Sequence, residues 1–304
     1  MLAPIIVFTY NRPQHTAETL RGLEDCDWAD QSEVYIFSDY PKKEAHQSDV
    51  EATRQLIRSR SYRFAKTHIV ERETNYGLVR NIIEGVSDIM ARHGKAIIFE
   101  DDMLAHPSLL VYMNQALEKY QDREKVFAVG AYNFGPELMP IPPHYQEDFY
   151  FSYRPTSWGW ASWHDRWTTV DWEVKDIDTF RRDAKQKKKF NISGDDMADM
   201  LIDTMDGELH SWYVRFAYAQ FKQDKLAIAP VKSMIKNIGF DGSGVHCGVG
   251  DEYDVELDMQ RMEINLPDEI YADPAMLKAV YHANRQSLKH KVKKRLARAG
   301  LVKW

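Results

Sequence analysis

The sequence predicts an α/β fold in which helices flank a mostly parallel sheet. Two observations predict it. Strand-length apolar runs alternate with helix-like segments through the first 130 residues, and Gly or Pro stands at several junctions between them. Strands separated by helices form parallel sheets with helices on both faces. With 304 residues, 44% of them hydrophobic, the chain can also bury a large core.

The first half supplies five predicted strands, each an apolar run, and four predicted helices between them. The strands are expected at 3–10, 34–39, 67–70, 96–99 and 126–129. The helices are expected at 13–23, 45–60, 77–93 and 107–120, where Pro13 suits a first turn and Gly94 a helix end. The carboxyl ends of these strands form the ligand-binding edge of such a sheet.

The second half is less regular. After a connection over 130–147, strands are expected at 149–153, 226–229 and 233–238, and helices near 176–188, 195–205 and 211–224. We find no repeat and no long linker. The sequence therefore predicts two fused halves, 1–125 and 126–265, followed by a tail over 266–304.

Composition and charge exclude several classes of protein. Two cysteines are too few for a disulfide scaffold, and no apolar stretch is long enough to span a membrane. Without a basic-then-apolar leader, we expect a cytoplasmic protein. Residues 1–273 hold 31 basic and 46 acidic side chains, a net charge of −15, whereas nine basic and no acidic side chains follow. An acidic body argues against nucleic-acid binding.

Three consecutive carboxylates, Glu100, Asp101 and Asp102, follow the predicted strand 96–99. Adjacent carboxylates repel one another unless a cation or hydrogen bonds offset the repulsion. Hard oxygen ligands of this kind suit Mg²⁺ or Mn²⁺, which bind one or two carboxylates together with substrate phosphates. The alternative is an acidic loop that caps a helix.

Three further segments lie at predicted strand ends. In the Thr9–Pro13 turn, Arg12 could bind a diphosphate. After the second predicted strand, Asp39 could accept hydrogen bonds from a base or a ribose. The helix that begins at Gly77 presents free N–H groups and Arg80 to an anion. Ordinary turns and helix caps are the alternatives for all three.

Together these segments resemble GT-A glycosyltransferases. The resemblance is carried by FTYNRP at 8–13, NYGLVRN at 75–81 and FEDD at 99–102. RPTSWGWA at 154–161 and NIGFDGSGVHC at 237–247 are similar to bacterial polysaccharide glycosyltransferases related to the N-acetylglucosaminyltransferase I family. The similarity spans roughly residues 3–250.

The resemblance implies roles for individual residues. Asp102 would be the direct ligand of Mn²⁺ or Mg²⁺, Asp39 would contact the uracil, and the loop 239–247 would fold over the diphosphate. The residues expected to contact the nucleotide sugar are Thr9, Asn11, Arg12, Asp39, Asn75, Arg80, Glu100, Asp101, Trp158, Trp160 and His246. Structural roles remain open for His246, and Cys247 is expected to be a packed thiol.

Five tryptophans fall within residues 158–172. Tryptophan rings stack on sugars, but large aromatic side chains mostly lie in protein cores. We expect most of the five to pack in the core. Trp158 and Trp160, on either side of Gly159, are the candidates for lining a sugar site.

The general base is the point at which the sequence departs from the resemblance. Relatives place an acidic residue before the helix that corresponds to 211–224, and this chain has His210 there. A neutral histidine can serve as a base. Asp206 and the pair Asp195 and Asp196 are alternatives, and capping roles are possible for each.

The resemblance implies a metal-dependent, inverting transfer of a sugar from a UDP-sugar to a saccharide or lipid-linked acceptor. A nucleotidyltransferase and a non-catalytic sugar-binding protein remain alternatives, although Thr9–Pro13 lacks the glycine-rich loop of the former. Residues 275–299 contain no Pro or Gly, which predicts a single basic amphipathic helix. It would contact the inner face of a membrane or pack on the acidic body.

Overall fold

The computed structural model describes residues 1–242 and 253–287. The strands in this part of the chain are β1 (Ile5–Thr9), β2 (Glu33–Ser38), β3 (Lys66–Glu71), β4 (Lys95–Glu100), β5 (Met103–Ala105), β6 (Val126–Gly130), β7 (Phe149–Ser152), β8 (Trp160–Trp163), β9 (Leu226–Pro230) and β10 (Ile235–Asn237). The α-helices are α1 (Pro13–Glu24), α2 (Gln47–Ser59), α3 (Gly77–His93), α4 (Leu109–Lys119), α5 (His164–Trp167), α6 (Ile177–Arg182), α7 (Ala184–Phe190), α8 (Met197–Met205), α9 (Tyr213–Lys222) and α10 (Pro274–Ala283).

Eight of the described strands form one sheet in the order β3-β2-β1-β4-β8-β6-β9-β7. Strands β1 to β4 are mutually parallel, and β6 pairs parallel with β9. Strands β8 and β7 pair antiparallel with their neighbours. The predicted α/β class with a mostly parallel sheet is confirmed. Strands β5 and β8 were not predicted, because one is very short and the other lies in the tryptophan-rich segment.

The order of the first four strands changes direction at β1. The chain moves from β1 outward to β2 and β3, and then returns to β4 on the opposite side of β1. In open α/β sheets a crevice opens at such a reversal, beyond the carboxyl ends of the two central strands. The Thr9–Pro13 turn and the Glu100–Asp102 turn both lie there, because they follow β1 and β4.

The core has a layer of side chains on each face of the sheet. Alternate residues of β1 point to opposite faces, and all five of them are buried. Ile5 belongs to the cluster that α1 and α4 cover, and Ile6 belongs to the cluster that α3 and α9 cover. Burial on both faces explains why β1 is a continuous apolar run.

Trp160 occupies the centre of the second layer. Its side chain is 1% exposed. Its ring centroid lies 4.9 Å from that of Trp212, 5.2 Å from that of Phe216 and 5.6 Å from that of Trp167. The prediction that Trp160 lines a sugar site is therefore corrected: the ring has no face open to a ligand, and its role is packing.

The C-terminal segment also differs from its prediction. Helix α10 ends at Ala283 and residues 284–287 are not helical, so the predicted single helix over 275–299 is interrupted; residues 288–299 lie outside the described ranges. Met276 and Val280 are buried against Tyr150 of β7, so α10 packs on the body. No helix in the described ranges is long and apolar enough to cross a membrane.

Replacing Trp160 by alanine tests its role in packing. Removal of a fully buried tryptophan costs about 3–5 kcal/mol, because apolar contacts are lost and a cavity remains. We expect Trp160→Ala to lower the free energy of unfolding by this amount in urea denaturation. Tyr271→Ala is the control, since Tyr271 is 55% exposed, and should change stability by less than about 0.5 kcal/mol. Equal effects would contradict the assignment.

Candidate functional site

The acidic turn after β4 is fixed by helix α1. Thr19 donates from Oγ1 to the carbonyl oxygen of Asp101 at 2.8 Å, and it accepts from the backbone N–H of Met103 at 2.9 Å. Thr19 is fully buried. One hydroxyl thus satisfies both ends of the turn between β4 and β5, and so holds the backbone of Asp101 and Asp102 at the edge of the sheet.

Arg12 contacts two of the three carboxylates. Its guanidinium forms a salt bridge with Asp101 and lies 3.0 Å from Oδ2 of Asp102. Burial opposes the charge of Arg12, but the two aspartates outweigh burial and raise the pKa of the guanidinium. These side chains are largely buried: the exposed fraction is 15% for Arg12, 5% for Asp101 and 7% for Asp102. A cation is therefore already part of the acidic site.

The carboxylates also perturb one another. Burial, followed by the charges of Asp102 and Asp101, raises the pKa of Glu100 to about 8, against the opposing effect of Arg12. Burial likewise raises the pKa of Asp101, and the charge of Arg12 opposes the increase. Without a further cation, the protonated form of Glu100 is therefore favoured relative to that of an exposed glutamate.

The acidic turn retains unused acceptor capacity. Oδ2 of Asp101 and Oδ1 of Asp102 are buried and have no hydrogen-bond partner among the described residues. No group of three or more His, Cys, Asp or Glu side chains in that part of the chain converges on a complete metal cage. Two free carboxylate oxygens fit a Mg²⁺ or Mn²⁺ that takes its remaining ligands from phosphates and water.

A segment from the second half of the chain covers Asp102. Strand β10 pairs antiparallel with β5, and the N–H of Ile238 donates to the carbonyl oxygen of Asp102 at 2.9 Å. A Cβ atom on Gly239 would lie 2.2 Å from Oδ2 of Asp102 and 3.1 Å from Nη1 of Arg12. Only glycine allows this approach. Of the predicted diphosphate loop 239–247, residues 243–247 lie outside the described ranges, and His246 and Cys247 are among them.

Asp39 accepts four hydrogen bonds and is 5% exposed. Three come from the backbone N–H groups of Tyr40, Tyr76 and Gly77, at 2.8 to 2.9 Å, and one comes from Nδ2 of Asn75 at 3.1 Å. The carboxylate thus caps α3. A carboxylate offers about four acceptor positions, so these donors fill them. A base could reach Asp39 only where one donor moves away, and Asn75 is the side-chain donor.

The remaining predicted nucleotide contacts differ in their surroundings. Thr9 is buried and donates to the carbonyl oxygen of Phe37, whereas Asn11 is half-buried beside Arg12. Arg80 is exposed, binds Glu84 and lies over the ring of Tyr76 with its Cζ 3.9 Å from the centroid. The structure therefore places Asn11 and Arg12 at the crevice and occupies Arg80 with a helix-surface ion pair.

Trp158 lies at the same edge as the carboxylates. Strand β8 runs antiparallel beside β4 with Trp160 opposite Ile98, so the residues before Trp160 reach the carboxyl end of β4. Trp158 is half-buried and contacts Tyr132, Phe240 and Tyr253, with centroid distances of 4.5, 5.6 and 6.0 Å. These partners were not predicted, since they come from distant segments. They form an aromatic wall beside the acidic turn.

The candidate bases have different partners. His210 is exposed, two residues before the N-cap of α9. Asp206 forms a salt bridge with Arg181. Asp196 accepts two hydrogen bonds from Arg154, at 2.7 and 2.9 Å.

Asp195 accepts from the backbone N–H of Gln286 at 2.8 Å. Among the four candidate bases, His210 is the one for which the described residues provide neither a salt bridge nor a hydrogen-bond partner.

The comparisons with known proteins give distant structural similarities. No protein-family model and no curated protein matches the sequence. S. aureus TarS 1–349 in complex with UDP-GlcNAc is similar over 77% of this chain and 58% of its own, at 14% identity and a TM-score of 0.42. UDP-glucose pyrophosphorylase complexed with UDP-glucose is similar over 75% of this chain and 90% of its own, at 13% identity and a TM-score of 0.38.

Mouse xyloside xylosyltransferase 1 is similar over 56% of this chain and 70% of its own, at 8% identity and a TM-score of 0.33. The matches to S. aureus TarS span 25% of the longer TarS chain and about 60% of TarS 1–349. At these TM-scores the similarities assign neither a family nor an activity to this chain.

The raised pKa of Glu100 predicts a pH-dependent stability. Folding raises the pKa of Glu100 from 4.5 to about 8. Below about pH 4.5 the carboxyl is protonated in both the folded and the unfolded state and does not affect the free energy of unfolding. As the pH rises from 4.5 to 8, the unfolded state releases this proton while the folded state retains it, so the protein becomes less stable. Between about pH 5 and pH 8, Glu100→Gln should therefore gain roughly 3–4 kcal/mol of stability relative to the wild type.

Urea denaturation in EDTA at both pH values measures this gain. The control is Glu18→Gln, since Glu18 is exposed on α1, and its stability should follow that of the wild type. A Glu100→Gln variant with the same pH profile as the wild type would refute the raised pKa.

Proposed function

We propose that this protein is a glycosyltransferase that moves a sugar from a UDP-sugar to a hydroxyl of a saccharide or lipid-linked saccharide. The observation that carries the proposal is the position of Glu100, Asp101 and Asp102. They lie in a largely buried turn at the carboxyl end of β4, where the strand order reverses, and Arg12 reaches them from the end of β1.

The spacing of the strand ends suits a nucleotide sugar. Neighbouring strands lie about 4.8 Å apart, so the ends of β2 and β4, with β1 between them, are separated by about 10 Å. A nucleoside above Asp39, at the end of β2, would extend its diphosphate over β1 and β4. The diphosphate would then meet Arg12, and its sugar would reach Glu100 and the aromatic wall around Trp158.

The proposed cofactor is Mn²⁺ or Mg²⁺. Asp102 would hold it through the carboxylate oxygen that is buried without a partner, and the free oxygen of Asp101 lies in the same turn. When bound, the ion supplies positive charge to the departing diphosphate. Arg12 supplies a second, permanent positive charge beside the same carboxylates, since its pKa is raised. Gly239 packs closely against the carboxylate of Asp102, where a Cβ would lie 2.2 Å from Oδ2, so a larger residue there would displace the proposed metal ligand.

The second reactant is an acceptor hydroxyl, which a general base would deprotonate for an inverting displacement. We propose His210 for this role. Its imidazole is exposed just before α9, whereas Asp206 and Asp196 are engaged by arginines. A proton taken by either aspartate would weaken an ion pair, and the less exposed pair of Asp196 and Arg154 would lose the most.

Asp102→Asn tests the metal assignment. The amide keeps the shape of the side chain but loses the negative charge that a hard cation requires. Isothermal titration calorimetry of the wild type with UDP-sugars should show binding that depends on Mn²⁺. We expect Asp102→Asn to remove this dependence.

Asp122→Asn, a change at an exposed position, should leave the dependence unchanged. Unaltered metal-dependent binding in Asp102→Asn would exclude Asp102 as the ligand.

His210→Ala tests the base. Loss of a general base lowers turnover by about 10²–10⁴-fold, while the affinity for the donor should remain that of the wild type. The rate of sugar transfer and the Kd for the nucleotide sugar separate these effects. Asp206→Asn is the matched comparison. If turnover falls in Asp206→Asn and not in His210→Ala, Asp206 takes the role.

A further inference from the structure

Basic side chains are concentrated on α6 and α7. Residues 181–190 contain six basic side chains and one acidic side chain. They belong to a body, residues 1–273, that carries a net charge of −15. A local excess of positive charge on an acidic body is not explained by the average composition.

Most of this charge is free of acidic partners. Arg182, Lys185, Lys188 and Lys189 are exposed, and within the described part of the chain none of them forms a salt bridge. The carboxylate of Asp183 is occupied, because it caps α7 by accepting from the backbone N–H groups of Lys185 and Gln186 at 2.9 Å. The four cations therefore point toward solvent with little compensation.

An apolar side chain stands beside them. Ile192 is 45% exposed, although the neighbouring Phe190 is buried and anchors the end of α7. A groove of about 630 Å³ lies next to Ile192, and its lining includes Lys185, Lys189, Lys222, Phe221 and Tyr153. We call Arg182, Lys185, Lys188, Lys189 and Ile192 the lysine face.

The described part of the chain ends next to the lysine face. The backbone N–H of Gln286 donates to Asp195 at 2.8 Å, and a Cβ atom on Gly194 would lie 2.8 Å from the Cβ of Asn284. Both contacts are within three residues of Ile192 along the chain. Residues 288–304, which follow in the sequence, lie outside the described ranges and carry seven basic and no acidic side chains.

We propose that the lysine face docks on an anionic lipid bilayer. Long lysine side chains reach anionic headgroups while their alkyl stems stay against apolar surface. An exposed isoleucine among them favours a bilayer over a polysaccharide, because only the bilayer offers it an apolar interior. The proposal does not depend on the proposed transferase activity.

Vesicle flotation of the full chain tests the proposal. The wild type should float with vesicles that contain phosphatidylglycerol and not with phosphatidylcholine alone, and added salt should weaken binding. The variant Lys185→Glu/Lys188→Glu/Lys189→Glu should bind roughly 100-fold more weakly, since each lysine contributes about fivefold near an anionic surface. Ile192→Ser should weaken binding without changing its salt dependence.

The control variant Lys66→Glu/Arg123→Glu/Lys232→Glu makes the same change in net charge at exposed positions elsewhere. It should bind vesicles more than tenfold better than the lysine-face variant, which total charge alone cannot explain. Thermal unfolding and UDP-sugar titration of both variants establish that they fold and retain the proposed donor site.

Three results would overturn the proposal. The first is an absence of vesicle binding by the wild type at low salt. The second is equal binding by the lysine-face variant and the control, including the case in which only charge reversal in 288–304 abolishes binding. The third is binding to soluble heparin without binding to vesicles, which would identify the lysine face as a polyanion site instead.

Discussion

The contact of Arg12 with Asp101 and Asp102 is the interaction on which the candidate site depends. Neighbouring carboxylates in this turn repel one another when ionised, and among the described residues Arg12 is the cation that forms salt bridges with two of them, Asp101 and Asp102. The position of the arginine is fixed by the Thr9–Pro13 turn, because Arg12 is the N-cap of α1 and Pro13 is its first residue. Removing one partner of a buried ion pair leaves an uncompensated charge, which is strongly destabilising. The acidic turn and the Thr9–Pro13 turn therefore depend on each other and form one structural unit.

The two halves of the chain share this unit. The carboxylates come from the first half, but β10 pairs with β5, and Gly239 lies directly above Asp102. The aromatic wall around Trp158 is also assembled from the second half, at the edge where β8 lies beside β4. A ligand over the carboxylates would thus contact both halves, which is consistent with a sheet that runs through them without interruption.

Local patterns predicted much of this arrangement. The apolar runs located β1 and β4, and the rule that ligands bind at strand ends brought Arg12 together with Glu100–Asp102. Features that depend on distant segments were not predicted. Nothing near Trp160 in the sequence indicates that Trp212 and Phe216 bury it, and nothing near Gly239 indicates that Asp102 lies beneath it. The end of α10 at Ala283 was also missed, since no Pro or Gly marks it.

The cap that Asp39 forms on α3 bears on how a base could be selected. All four acceptor positions of the carboxylate are already filled, so a base that bound there would replace the amide of Asn75 and add no new hydrogen bond. Exchange of one donor for another yields little net free energy. Discrimination among bases would then arise because unsuitable bases bind poorly. A base that displaced Asn75 without supplying its own N–H would leave one acceptor position of the buried Asp39 carboxylate without a hydrogen bond. Asp39 would thus act as a filter against unsuitable nucleotides more than as a source of affinity.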